Sequence, residues 1–393
     1  MAETVSRSAD GCAKNVIPTA AVGFLLNSLG ALLGRPNSAI NAGATTVNSK
    51  ATRLALLPLA IIAIGAASGC GEADGGGSGD GKSLTIYSGR DEEYVGPLIE
   101  TFKKENPGTE VEVRYGDSAE LAATIREEGD QTPAGVFFSQ DAGALGALQE
   151  AELLKELPSS ILDRVPSAFR SAQGDWVGTS GRVRVLGYDS RSLAPSELPK
   201  SVFDLTEPRW KGKVGWAPAN ASFQSFVTAM RLSEGEAKTK QWLEQMKANG
   251  TRTYEKNGII RDAIADGEIE VGLINHYYVL EAIKEGEADG DTYPVKIHFF
   301  TDGDVGTLIN VAGVGIPEAS KQQTAAEQFA SFLLADPQQQ YFAKETGEYP
   351  LVKGIAQDPS LPPLSSIKQP QLDLSDLSDL QGTQELLQET GVL

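Results

Sequence analysis

The stretch LTIYSGRDEEYVGPLIETFKKENPGTEVEVRYGDSAELAATIREEGDQTPAGVFFS, residues 84–139, decides the fold. Residues 84–87 form a short apolar run that reads as a strand, and over 94–104 the residues Val95, Leu98, Ile99 and Phe102 recur on one helical face. Asn106, Pro107 and Gly108 make a turn, after which Val111 and Val113 begin a second strand. A helix over 118–128 and a strand over 136–139 follow. Strand and helix alternate, the pattern of an α/β fold with a mostly parallel sheet and helices on both faces.

The same alternation continues outward, with strands expected over 183–188, 214–217, 271–275 and 311–316. Helices are expected over 223–232, 237–248, 259–265 and 325–334, and no internal repeat is present. The body beyond residue 83 holds about 310 residues, large for one such sheet and comfortable for two lobes. A cleft between lobes is a natural place for a small ligand.

The chain has 393 residues, 40% hydrophobic and 22% charged, which is globular and excludes collagen-like and coiled-coil readings. Net charge splits into +3 over residues 1–70 and −22 over the rest, giving −19. A body that acidic lacks the basic footprint of a nucleic-acid binder, so its ligands are cations or small molecules. Cys12 and Cys70 are the only cysteines, and His276 and His298 the only histidines. Residues 71–393 therefore contain no disulfide and no cysteine nucleophile, and two imidazoles are too few for a multi-histidine zinc site. The chemistry falls to oxygen and amide groups.

Residues 50–70, KATRLALLPLAIIAIGAASGC, begin with Lys50 and Arg53 and continue as an apolar run too short for a bilayer, where about 20 residues are needed. They read as a secretory signal segment. Its ending, Ala67-Ser68-Gly69-Cys70, resembles a bacterial lipobox, which implies cleavage before Cys70 and lipid on its sulfur. An ordinary signal peptide with an incidental cysteine is the alternative. The glycine-rich residues 71–83 read as a flexible tether. Residues 1–49 precede the usual start of such a leader, as either a long leader or a misassigned start, and are expected to be disordered or absent from the mature chain.

Several strings of the body resemble the ferric-ion-binding proteins of bacterial ABC transporters: LTIYSGR at 84–90, IREEGDQTPAGVFFSQD at 125–141, DWVGTSGRVRVLGYD at 175–189, PRWKGKVGWAP at 208–218 and GEIEVGLINHYYV at 267–279. The resemblance covers nearly everything from residue 84 to 393, and its specificity lies in the order and spacing of the pieces. It implies a two-lobed type II periplasmic-binding-protein fold with a hinge and a central cleft. Residues 84–182 with 303–355 would form one lobe, and 183–302 with 356–393 the other. It further implies a monomeric, extracytoplasmic protein, anchored by lipid at Cys70, that takes up Fe3+ with a synergistic anion such as phosphate or carbonate and delivers the iron to an ABC permease.

Tyr277 and Tyr278 resemble the paired iron-binding tyrosines of that family. Their position agrees, because a strand ending near Asn275 feeds a helix beginning near Tyr277, and open sheets bind ligands at the C-terminal ends of strands. A phenol with a pKa near 10 can be deprotonated by a trivalent cation. Packing beside the cleft is the alternative. Where the family has a histidine this chain has Asp91, and where it has a glutamate this chain has Gln140, followed by Asp141. Asp91 and Asp141 are oxygen donors suited to a hard cation, with turn capping and helix capping as their alternative roles.

The resemblance assigns the anion to Asn220, Ala221, Ser222, Asn257 and Asn275, and a loop feeding a helix N-terminus suits that task. Asn220 as a plain N-cap is the alternative. Arg182, in SGRVR, approaches the cleft by resemblance, with a structural salt bridge as its rival. His276 abuts the tyrosines but is expected to act behind them or face solvent, and His298 reads as structural. Asp302 and Asp304 show no distinctive pattern.

The main rival keeps the fold and binds another solute, such as an anion, a polyamine or a metal chelate. An extracellular enzyme is disfavoured, since the chain has no GxSxG elbow and no HExxH helix.

Overall fold

The computed structural model describes residues 82–284, 286 and 292–393. The expected leader, Cys70 and nearly all of the tether lie outside the described residues. In chain order the elements are β1 (Ser83–Ser88), α1 (Glu92–Glu105), β2 (Glu110–Tyr115), α2 (Ser118–Glu128), β3 (Val136–Ser139), α3 (Ala142–Glu150), α4 (Ser159–Leu162) and β4 (Trp176–Asp189). They continue as β5 (Val214–Trp216), α5 (Ala221–Glu234), α6 (Glu236–Ala248), β6 (Arg252–Thr253), α7 (Asn257–Ala265), β7 (Val271–Asn275), α8 (Tyr277–Lys284) and β8 (Val295–His298). The remainder are β9 (Ile309–Gly315), α9 (Gln323–Leu333), α10 (Asp336–Glu345), β10 (Tyr349–Pro350) and α11 (Leu380–Glu389).

Strands run β2-β1-β3-β9-β4-β7-β5-β6 across the sheet, with β8 and β10 also paired to β4. Parallel pairing is confined to β2-β1-β3 and to β6-β5-β7, and every pair made by β4 or β9 is antiparallel. The sheet is therefore mixed, which corrects the expectation of a mostly parallel one. Its cause is β4: residues 176–183 pair with β9, while 184–188 pair with β7, so one strand serves both halves. The chain crosses outward on β4 and begins its return on β9, and two adjacent strands carrying opposite crossings pair antiparallel.

β4 is 14 residues long and buried throughout. Its Gly178-Thr179-Ser180-Gly181 run shows no apolar alternation, which is why only residues 183–188 were expected as a strand. Each half has its own aromatic core. Phe102 meets Phe329 and Phe332 edge-on in the first, with centroids 5.1 and 5.3 Å apart, and Trp216, Phe223, Phe226 and Trp242 interlock in the second. Such edge-to-face contacts add about 0.5–1.5 kcal/mol per pair beyond area burial.

The C-terminal segment touches both halves. The turn Leu374–Ser378 lies on α3, where a Cβ at Gly146 would stand 2.1 Å from the Ser375 carbonyl oxygen, so only glycine admits this approach. α11 then lies on α5, with the Thr228 and Thr383 hydroxyls 2.7 Å apart. Both α3 and α5 begin at the cleft described below. No helix among the described residues is long and apolar enough to cross a membrane.

Candidate functional site

β7 is buried along its length, and the chain turns at His276 directly into α8. His276 makes that turn rigid. Its Nδ1 accepts from the Val183 amide at 3.1 Å while its own amide donates to the Val183 carbonyl at 3.0 Å. With Nδ1 accepting, the ring proton sits on Nε2, which donates to the Gly347 carbonyl at 3.0 Å. Burial pushes its pKa down to about 4, so the imidazole is neutral with both nitrogens occupied. It fastens the start of α8 to β4 and leaves neither nitrogen for a metal.

Tyr277 and Tyr278 follow at once, their rings stacked with centroids 4.4 Å apart and planes 27° apart. Tyr277 is 6% exposed. Burial and the neighbouring Tyr278 hold its phenol well above the ordinary tyrosine range, opposed by Arg182. In the free protein this phenol is therefore protonated at neutral pH. A strongly charged cation must displace its proton in order to bind.

One cavity brings together Gln140, Asp141, Arg182, Arg184, Asn220, Ser222, Asn275, Tyr277, Tyr278 and Asn310. Asn257 stands behind it. Arg182 and Arg184 are two residues apart on β4 and so share a strand face. Arg184 is 2% exposed; its Nη1 donates to Ser222 Oγ at 3.3 Å and its Nη2 to the Leu273 carbonyl at 3.1 Å. Its Nε has no partner, and burial pushes the guanidinium pKa down to about 9, against the pull of the two phenols. A cation buried without a carboxylate is costly unless a ligand supplies the opposite charge.

Arg182 is differently placed. It lies 3.8 Å from Glu348, which also takes both arms of Arg90. Arg90 Nη1 donates to Gln140 Oε1 at 2.9 Å, so that side chain is already engaged.

On the same wall as Arg184, Asn220 caps α5 by accepting from the Ser222 amide at 3.1 Å, and its Oδ1 also accepts from Ser222 Oγ at 2.6 Å and Asn257 Nδ2 at 3.1 Å. Asn257 Oδ1 is buried without a partner. Asp141 caps α3 through the Ala144 amide at 3.1 Å while lining the cavity, and burial raises its carboxyl pKa despite the favourable amide contacts. Both carry out the capping roles weighed for them without leaving the cleft. Asp91 is exposed at the start of α1, makes no capping hydrogen bond, and lines the adjoining wider opening with Tyr277, Tyr278 and Gln140. His298 Nε2 pairs with the Pro199 carbonyl at 2.8 Å, away from this wall, and Asp304 caps the turn Val305–Thr307.

Sequence reasoning missed Arg184, Asn310, Arg90 and Glu348. The two-residue spacing in SGRVR is a signal for Arg184; none exists for Glu348, which meets Arg90 from 258 residues away. Among the described residues no three His, Cys, Asp or Glu side chains converge on one metal-sized point.

A sequence profile of bacterial extracellular solute-binding proteins matches residues 97–368. The major ferric iron-binding protein of Neisseria meningitidis serogroup A is 32% identical over 314 residues, covering 79% of this chain and 93% of that one. The Fe(3+)-binding periplasmic protein of Serratia marcescens is 31% identical, with coverage of 79% and 91%. Iron-bound HitA from Pseudomonas aeruginosa superposes with a TM-score of 0.73 at 31% identity, covering 79% of this chain and 99% of that one. A Trichodesmium protein in complex with iron and citrate superposes at 0.69 with 28% identity and coverage of 79% and 99%. The likeness bears out the expected α/β, type II periplasmic-binding-protein fold. The chain belongs to the family of bacterial extracellular solute-binding proteins.

Proposed function

We propose that this protein captures ferric iron in the cleft, outside the cytoplasmic membrane, and delivers it to an ABC permease. The observation that carries this reading is the stacked Tyr277–Tyr278 pair at the C-terminal end of β7, two adjacent phenol donors for a hard cation. The relatives' names point the same way. Asp141 lines the same cavity and Asp91 the adjoining opening, and these carboxylates complete the shell in this reading.

Charge argues for a synergistic anion. Ferric iron with two phenolates keeps one positive charge, Arg184 adds another, Arg90 and Arg182 sharing the single carboxylate of Glu348 leave a third, and Asp91 and Asp141 offset at most two. A carbonate or phosphate held by Arg184, Ser222, Asn220, Asn257, Asn275 and Arg182 balances the remainder at the start of α5, where helix amides favour an anion. The metal-chelate alternative draws support from the same unpaired Arg184, which a chelate's carboxylate also satisfies.

Residues 84–182 with 303–355, and 183–302 with 356–393, act as the two lobes in this proposal, with hinge crossings on β4 and between β8 and β9. The pairing switch at residues 183 and 184 supports the first crossing. The segment Leu374–Ser378 reaches back onto α3 from the second lobe. A monomer tethered by lipid on Cys70 completes the reading. Visible absorbance during titration with ferric citrate tests it, because phenolate bound to ferric iron gives a charge-transfer colour that an organic solute does not.

A further inference from the structure

α8 carries the phenol pair in its first turn, and its next turn is tied to the other half of the molecule. Glu281 lies four residues after Tyr277 and three after Tyr278, so it shares their side of the helix. Tyr94, in the first turn of α1, donates its hydroxyl to Glu281 Oε1 at 2.5 Å. α1 connects β1 to β2 in the first half of the sheet, whereas α8 connects β7 to β8 in the second. This bond therefore spans the two halves.

The tyrosine is itself held. Tyr341, on α10, donates its hydroxyl to the Tyr94 carbonyl at 2.9 Å. The Tyr94 ring lines both the wide opening over Tyr277 and Tyr278 and a second cavity behind α8, so it forms the wall between them. A second tie, the Lys284–Glu345 pair at the far end of α8, has both side chains about half exposed, where an ion pair contributes little. The half-buried, charge-assisted Tyr94–Glu281 bond is the stronger of the two.

We propose that Tyr94 and Glu281 form a latch across the cleft, positioning residues that hold α8 and its phenol pair against α1 and thereby slow release of the bound solute. The inference rests on the iron reading for the identity of that solute, but not for the latch itself. Neither side chain need touch the metal. Their bond acts on the distance between the halves, and a bond present only in the closed arrangement favours it by its own free energy.

The test uses Tyr94→Phe, Glu281→Gln and the double variant of the full chain. Phenylalanine keeps the ring and removes only the donor, and glutamine keeps the shape and removes the charge. In metal-free protein, small-angle scattering and hydrogen exchange should show a larger radius and faster α8 amide exchange in each variant. In iron-loaded protein, stopped-flow transfer to excess EDTA should be about tenfold faster in each single variant, the size expected for one charge-assisted hydrogen bond. The double variant should be no faster than either single, since all three remove the same bond. The visible band should keep its position, because the metal's donors are unchanged. Unchanged radius and exchange in the metal-free variants would overturn the latch. Changed radius and exchange with no visible band in the unmodified protein would retain the latch and overturn the iron reading.

Discussion

Glu348 receives both arms of the Arg90 guanidinium, at 2.9 and 2.8 Å, with the two side chains 1% and 3% exposed. The pair joins the turn after β1 to the segment before β10, and Arg182 approaches the same carboxylate from β4. Removing the one anion leaves two buried cations, so Glu348→Gln should cost about 3–5 kcal/mol. Guanidinium denaturation measures it, and an unchanged midpoint would contradict the buried-charge account. Burial alone would raise the Glu348 pKa, but Arg90 and Arg182 outweigh it and hold the carboxylate below its ordinary range. A depressed folded pKa contributes stability above the unfolded value, near 4.5, which is lost as pH falls through the folded one. The Gln variant should therefore show a weaker acid dependence than the unmodified protein.

Iron uptake should release protons. Burial and Tyr278 keep the Tyr277 phenol protonated in the free protein, so binding as phenolate must expel that proton. Each proton released makes affinity fall about tenfold per unit of acidification, and two phenols give up to about a hundredfold. Titration of weakly buffered protein in a pH-stat, corrected for the chelator, should count between one and two protons per ferric ion. A count of zero would mean that the phenols are not ligands.

Arg184 separates function from stability. Its buried guanidinium has an unpaired Nε and no carboxylate partner, so Arg184→Gln should leave the metal-free melting temperature unchanged or raise it. Iron affinity in saturating phosphate or carbonate should fall about tenfold or more as the anion loses a charge-assisted donor. Equal losses of stability and of affinity would make Arg184 a structural residue.

Much of this was legible in the sequence, for identifiable reasons. Tyr277, Tyr278 and Asn275 were readable because they are neighbours in the chain at a strand end, where local pattern and ligand position coincide. Asp141 and Asn220 were readable as helix caps, and the structure places each at one, whereas Asp91, read as a turn residue, precedes α1 without a capping hydrogen bond. The first part of β4 was hidden because Gly178, Thr179, Ser180 and Gly181 are buried without an apolar period. Glu348 was hidden because its partners are remote in sequence. The close approach of the Ser375 carbonyl to Gly146 gave no signal either, since a glycine within a helix does not announce which backbone lies against it.

Membrane attachment is tested separately from iron. Cys70→Ser should move the cell-derived protein from the detergent phase to the aqueous phase in Triton X-114 partitioning, because the thiol is the proposed lipid acceptor. Aqueous partitioning of the unmodified protein, with a mature N-terminus mapped away from residue 70, would contradict the anchor.

Tyr277 and Tyr278 carry the iron in the proposed function. Phenylalanine at either position keeps the ring, so the fold should survive within about 1.5 kcal/mol, the usual cost of a near-isosteric change. Titrating unmodified protein, Tyr277→Phe and Tyr278→Phe with ferric citrate, following visible absorbance and thermal unfolding together, reads affinity in two independent ways, since ligand-linked stabilisation grows with free ligand over its dissociation constant. The expected outcome is a visible band and a melting shift in the unmodified protein, and loss of most of both in each variant. Phenylalanine variants that bind ferric iron like the unmodified protein would contradict it.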